Sequence, residues 1–249
     1  MSKVMKLKIL NKNNFIQKFL NPISKINELC SLTLENDSIY NLNRTSDTNF
    51  SLYARSEDVK YVGEKRTVSF ADIKRFIKVL DCLPLDTNIE LIVNENNIEF
   101  VSHSTKFKFH LINDNIVRGP SFNIDKINSL QFDSQFTFNY SSYMNLIKSS
   151  TFIVDSSKIY LYNEGENVIG ELNDKTKSNI DVYSTYISNT FTGDDIQKPI
   201  GFDFDLFKNV SFPKNGEILI RLNTKIGFIA FEIKDGNYTL KYTTTAKAN

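Results

Sequence analysis

The carboxylate pair in Gly193-Asp194-Asp195, the histidines His103 and His110, and the thiols of Cys30 and Cys82 are the side chains in this sequence best suited to metal or nucleophilic chemistry. None is spaced for it. The histidines have no cysteine or paired carboxylates near them, so the ligand spacing of a zinc site is missing. The Gly-Asp-Asp run stands among Thr and Gly and reads as a solvated turn. The cysteines fall in different segments and read as small buried apolar residues of a reducing, intracellular compartment. There is no G-x-x-x-x-G-K-[ST] loop for nucleotide and no G-x-S-x-G elbow or assembled triad. The expectation is a chain that is not an enzyme and has no metal or cofactor.

Cation chemistry is what remains. The stretch VSFADIKRFIKVLDCL, residues 68–83, has helical period, with Ile73, Phe76, Ile77, Leu80 and Leu83 along one side. Lys74, Arg75 and Lys78 fall together on the opposite side, an arrangement suited to phosphate oxygens. Three further segments have helical period: residues 14–25, 141–150 and 203–212. Their exposed arcs also carry Lys, Asn, Gln and Ser, including Lys18, Lys25, Lys148 and Lys208, with Lys214 just beyond the last. Net charge is only +1, because acidic residues gather elsewhere, as at Glu57-Asp58, Glu164 and Glu166, and Asp194-Asp195. A shared positive sign on four helices in a nearly neutral chain, with Asp81 and an Asp of the fourth helix as the acidic exceptions, points to a localised positive surface for phosphates, without base reading. No aromatic row interleaves these cations, which favours duplex over single-stranded nucleic acid.

These helices are set in a β-rich chain. Short strand signals separated by Asn, Asp, Ser and Gly clusters run through residues 6–112 and again through 135–243. Each half reads as strand, helix, three strands, strand, helix, three strands. Between the halves lies NDNIVRGPSFNIDKINSLQF, with Gly119-Pro120 and no sustained period. The expected division is residues 1–113, a connector at 114–132, and residues 133–249. Hydrophobic residues at 41% and charged residues at 24% suit a soluble globular protein, and no run reaches the ~20 apolar residues of a membrane span. The start, MSKVMKLKIL, does not read as a secretory signal.

Three stretches resemble the DNA sliding clamps, the ring-shaped processivity factors that include proliferating-cell nuclear antigen, and within them the clamps of T4-type bacteriophages. FIQKFLNPISKINELCSLTLENDSIYNLN resembles the first clamp helix and the strand pair after it. FNYSSYMNLIKSSTFIVDSSKIYLYNEGENVIGEL is similar to the opening of the second clamp domain, with a helix, a short D-S turn and paired strands. GFDFDLFKNVSFPKNGEILIRLNTKIGFIAFEIKDGNYTLKYTTTAKAN resembles the phage-clamp terminus, with a short helix, a P-x-x-G turn, three strands and a free tail. The likeness covers almost the whole chain as a co-linear order of elements.

The resemblance implies an α+β fold of two similar clamp domains, each with two helices packed on antiparallel sheets, assembling into a ring. It implies a homotrimer closed through strands 105–112 and 180–188, non-specific binding of double-stranded DNA, and partnership with a DNA polymerase and a clamp loader. No cofactor or membrane is implied, and the location would be the cytoplasm, of a bacterial host if the origin is a phage. Carried over by position, the DNA-facing residues would be Lys12, Lys18, Lys25, Lys74, Arg75, Lys78, Lys148, Lys208 and Lys214. The partner-peptide groove would be formed by Leu42 and Asn43 in a loop, Ile116 and Val117 in the connector, and Gly227, Tyr242, Thr244 and Thr245 near the terminus. Thr243–Thr245 stands where many clamps have apolar or proline-containing residues, and an alternative for Tyr242 is an ordinary strand aromatic packed on the core. Two other functions fit the β-rich pattern: a virion or tail structural protein, and a clamp-fold processivity factor that does not form a ring.

Overall fold

The computed structural model describes residues 5–84, 88–117, 125, 129–153, 157–177, 179–214 and 216–246. The chain divides into two compact units, Met1–Asp125 with Lys234–Leu240, and Lys126–Ile233 with Lys241–Asn249. Residues 234–240, around the turn of the last hairpin, therefore group with the first unit, which no linear division of the sequence expresses. Most of the expected connector, residues 118–124 and 126–128 with Gly119-Pro120, lies outside the described residues. So do Asp155 and Ser156 of the D-S turn, Asn215 of the P-x-x-G turn, and the tail at 247–249.

The first unit begins with β1 (Lys6–Ile9) and a helical stretch made of α1 (Lys12–Asn14), a π-helical segment Phe15–Leu20 and α2 (Asn21–Ile26). Five strands follow: β2 (Cys30–Glu35), β3 (Ser38–Arg44), β4 (Phe50–Ser56), β5 (Val59–Val62) and β6 (Arg66–Phe70). Then come α3 (Ile73–Asp81), β7 (Ile89–Val93), β8 (Asn97–Val101) and β9 (Lys106–His110). Strands β5-β1-β7-β8-β9 make one antiparallel sheet, and β4-β3-β2-β6 are neighbours in another.

The second unit repeats this order with β10 (Ser134–Asn139), α4 (Tyr140–Ser149), then β11 (Lys158–Glu164), β12 (Asn167–Asn173), β13 (Tyr183–Ser188), β14 (Thr192–Gly193) and β15 (Ile200–Asp203). After α5 (Phe204–Asn209) come β16 (Glu217–Asn223), β17 (Phe228–Asp235) and β18 (Tyr238–Thr245). Here β13-β12-β11-β15 form one sheet, and β14-β10-β16-β17 are neighbours in another. Among the described residues each half therefore reads strand, helix, five strands, helix, three strands. The strands the periodicity does not reveal are β5, only four residues long, and β14, only two.

Local chemistry accounts for the helices. Side chains of Asn11, Asp72, Asn139 and Asp203 accept the N–H groups of Asn14, Arg75, Ser142 and Asp205 at 2.8–3.0 Å, capping otherwise orphaned donors. In the π-helical segment the Asn21 N–H donates to the Ile16 carbonyl, five residues back. Pro22 follows directly, and a proline ring clashes with the carbonyl four residues before it in a regular α-helix. The wider turn upstream of Pro22 relieves that conflict while keeping Phe15, Ile16, Phe19 and Leu20 buried.

In both units the first helical stretch supplies a side chain that reaches carbonyls at or just beyond the end of the second helix. The Lys12 ammonium, 3% exposed, donates to the carbonyls of Leu83 at 2.7 Å and Pro84 at 3.1 Å. The Tyr143 hydroxyl lies 3.3 Å from the Phe207 carbonyl, 3.4 Å from that of Lys208 and 3.5 Å from that of Val210. No helix among the described residues is long and apolar enough to cross a membrane.

The core of the first unit joins α3 to both sheets through Phe76, whose ring centroid is 4.9 Å from Phe70 on β6 and 5.2 Å from Phe109 on β9. In the second unit Phe207 of α5 meets Phe231 of β17 edge to face at 4.9 Å, and Tyr143 stacks on Phe212 at 4.7 Å. Because Phe76 is 2% exposed, Phe76→Ala should destabilise the chain by about 3–5 kcal/mol in denaturant unfolding. A loss below about 1 kcal/mol would contradict this packing.

Candidate nucleic-acid interface

Helix α3 has the divided surface that its sequence period demands. Ile73, Phe76, Ile77 and Leu80 are buried, while Lys74, Arg75 and Lys78 are exposed. Asp72 fixes the start of the helix, so its cap also sets the direction of these cations. Lys74 pairs with Glu28 at 2.6 Å, and the Arg75 guanidinium lies 6.0 Å from the centre of the Phe109 ring. Lys78 has no ion-pair partner among the described residues. On the first helical stretch Lys18 is held by Asp235 and lies 5.9 Å from the Tyr238 ring. Lys25 is exposed, and neighbouring protein desolvates its ammonium enough to lower its pKa.

In the second unit Lys148 is exposed in the last turn of α4, where a cation complements the helix dipole. Lys208, also exposed, pairs with Asp205 at 2.7 Å, and Lys214 is exposed beyond α5. One expected DNA-facing residue is corrected. Lys12 lies at the buried end of its helix and spends its charge on the Leu83 and Pro84 carbonyls, so it is not a surface cation. Sequence period placed it just outside the helix, where burial is not legible.

The residues expected to form the peptide groove are divided between the two units. Leu42 and Asn43 belong to strand β3 rather than a loop. Asn43 is 6% exposed, and its amide donates to the Asn27 carbonyl at 3.3 Å. Ile116, in the short 3-10 turn Asp114–Ile116, is exposed, and Val117 is half-buried. Tyr242 and Thr244 are buried, so they lie beneath the surface and do not line it. The Tyr242 hydroxyl accepts the Ser211 N–H at 3.2 Å, which is the packed-aromatic alternative.

Thr245 is exposed at this end of the second unit, whereas Gly227 is buried beneath Ala246. Gly227 has φ +61, and its carbonyl accepts the Ala246 N–H at 2.5 Å, so the strand end folds directly over it. A shallow cavity of about 660 Å³ opens beside Ala246, with Ile196, Pro199, Ile200 and Lys225 among its lining. Spacing offered no signal for that lining, because a loop, a turn and the end of the chain's last strand, distant in sequence, build it.

Strand edges form a second candidate surface. Strand β9 ends the five-stranded sheet of the first unit, with Lys106, Lys108 and His110 exposed along one face. Strand β13 ends the four-stranded sheet of the second unit, with Tyr186 61% and neighbouring Val182 52% exposed. Each edge has unpaired backbone groups among the described residues and can accept another strand.

The residues suited to other chemistry have structural places. Gly193 has φ +109, and a Cβ there would come 2.1 Å from the Asp133 carbonyl, so glycine is required by the tight β10–β14 pairing. Asp195 accepts an N–H of the Asn163 amide at 2.8 Å. No group of three metal-ligating side chains occurs among the described residues. Cys30 is buried, which pushes its thiol up to about 12, while Cys82 is exposed after α3, against the expectation of burial.

No family profile and no curated protein matches the chain. Solved structures do match across nearly its full length. A chain in the structure of the C-terminal region of FEN-1 bound to A. fulgidus PCNA superposes with TM-score 0.78 at 14% identity, covering 98% of this chain and 99% of that one. The chain has the sliding-clamp fold. PCNA from Thermococcus kodakaraensis matches with TM-score 0.76 at 13% identity, over 98% of this chain and 100% of that one. Proliferating Cellular Nuclear Antigen from Entamoeba histolytica matches with TM-score 0.76 at 14% identity, over 98% and 99%.

Within this clamp fold, burial raises the Tyr143 and Tyr242 hydroxyls to about 12 from an ordinary 10.0. Their neutral forms are favoured in the folded state, so this stability is complete below about pH 10 and is lost as pH rises towards about 12. Unfolding monitored against pH should show that loss, and Tyr242→Phe should make it shallower. Ionisation of both tyrosines at pH 10 in the folded chain, read from tyrosinate absorbance, would contradict the burial of these two side chains.

Proposed function

We propose that the chain is a subunit of a DNA sliding clamp, which encircles duplex DNA and tethers a polymerase and other partners without catalysing a reaction. The observation that carries this reading is the outer face of α3, where Arg75 and Lys78 stand exposed without a carboxylate partner among the described residues of a clamp-fold chain. Lys18, Lys25, Lys74, Lys148, Lys208 and Lys214 extend the DNA-facing set, and Lys12 does not belong to it. Contacts of this kind attract phosphates diffusely, with no base-edge hydrogen bonds to define a register, so the duplex is held while translation along it stays easy. Retention then comes from closure of the ring and not from affinity.

Closure is assigned to the β9 and β13 edges, at residues 105–112 and 180–188. Strand addition between neighbouring copies would satisfy their free backbone groups, and three copies joined head to tail would close the ring. Partner peptides are assigned to the end of the second unit around Gly227, Thr245 and the cavity beside Ala246. The C-terminal region of FEN-1 bound to a structural neighbour supports that kind of partner. A phage-type clamp working with a clamp loader in a bacterial cytoplasm is the finer form of the proposal.

Native mass is the test. A species of three times the chain mass is expected, with loader- and ATP-dependent stimulation of a cognate polymerase on primed DNA. A monodisperse monomer that binds linear duplex and stimulates synthesis without a loader would favour the non-ring clamp-fold factor instead.

A further inference from the structure

The cations on the outer helix faces, half-buried at Lys18 and exposed elsewhere, fall into two classes. Lys18 is bound by both carboxylate oxygens of Asp235 at 2.9 Å, Lys74 by Glu28 at 2.6 Å, and Lys208 by Asp205 at 2.7 Å. Arg75, Lys78 and Lys148 have no such partner among the described residues. The carboxylates of the first class are positioned by the fold. The Glu28 carbonyl accepts the N–H of Ile73, the first residue of α3, at 3.0 Å, which places its side chain beside Lys74. Asp235 ends β17 immediately before the positive-φ turn at Gly236, in the hairpin that also brings the Tyr238 ring to Lys18. Asp205 precedes Lys208 by one helical turn on α5, and the same ammonium lies 5.1 Å from the Phe204 ring.

We infer that Glu28, Asp205 and Asp235 are attenuators of DNA attraction, each occupying a lysine that would otherwise neutralise a phosphate. This rests on the duplex-DNA reading of the helix faces. Exposed ion pairs contribute little net stability and exchange readily, so a phosphate can displace the carboxylate. The displaced carboxylate stays close by and opposes the phosphate, which lowers the gain from each contact. The result is a helix surface in which a subset of cations holds the duplex at full strength and the remainder yields as the duplex moves. A protein that must stay on DNA without stopping on it benefits from that division.

The test is equilibrium binding of the full chain to a labelled linear duplex of mixed sequence across a salt series. Glu28→Gln should tighten binding about two- to five-fold and steepen the log–log salt slope by about 0.9, one phosphate. In a Lys74→Ala background the same substitution should change nothing. Equal tightening in both backgrounds would show a net-charge effect alone and overturn the inference. Unchanged binding in Glu28→Gln, while Lys78→Ala weakens it, would also overturn the inference but leave the DNA-facing reading in place. If neither substitution alters binding, the DNA-facing reading falls and the inference falls with it. The cycles Asp205→Asn with Lys208→Ala and Asp235→Asn with Lys18→Ala repeat the test at independent sites, so poor folding of one variant does not remove it.

Discussion

Burial of Phe76 between Phe70 and Phe109 ties α3 to two sheets at once, and most of what α3 can do follows from that contact. A helix committed on one side to such a core must turn its opposite side outward, which directs Lys74, Arg75 and Lys78 to the surface whatever their partners. The second unit solves the same problem with different residues. Phe207 packs on Phe231, and Lys208 emerges at the surface beside it. In each unit the end of the second helix is also fastened from the first, by an ammonium in one case and a phenol in the other. The repeated architecture thus extends to how helix ends are satisfied, although the chemical groups differ.

Surface charge on this chain is better described by commitment than by total. Lys12 is spent on backbone carbonyls inside the first unit, and Lys18, Lys74 and Lys208 are shared with carboxylates. Arg75, Lys78 and Lys148 project with their charge unshared among the described residues. A net charge of +1 conceals this arrangement, because it sums groups that never act on the same ligand. For a protein proposed to slide, the distinction has physical weight. A uniformly strong positive surface would bind duplex tightly and salt-sensitively, whereas a mixed surface lowers the variation in energy as phosphates pass.

Long periodic elements were legible in the amino-acid order. The helices centred on Phe76 and Leu146, and the alternating strands around them, occur close to where the apolar spacing puts them. Short strands were not: Val59–Val62 and Thr192–Gly193 have too few residues to establish a period, and sheet neighbours define them. The π-helical turn before Pro22 also escapes a period-based reading, since its buried positions still look helical. Depth was the other quantity hidden from sequence. Lys12 reads as a surface cation until its place beside the end of α3 is known, and Tyr242 reads as a groove residue until its strand is seen buried. Both misplacements arise because burial depends on segments far away in the chain. The cavity lined by Ile196, Ile200 and Ala246 was invisible for the same reason.

Retention by encirclement is the claim on which the functional account rests, and the lifetime of loaded protein on circular and linear DNA tests it most directly. Protein loaded onto a closed circular duplex should remain through a wash in high salt, which screens the helix cations, and should leave promptly once the circle is cut. Equal dissociation from circular and linear DNA, with the same steep salt dependence on both, would contradict encirclement and reduce the chain to an ordinary electrostatic DNA binder.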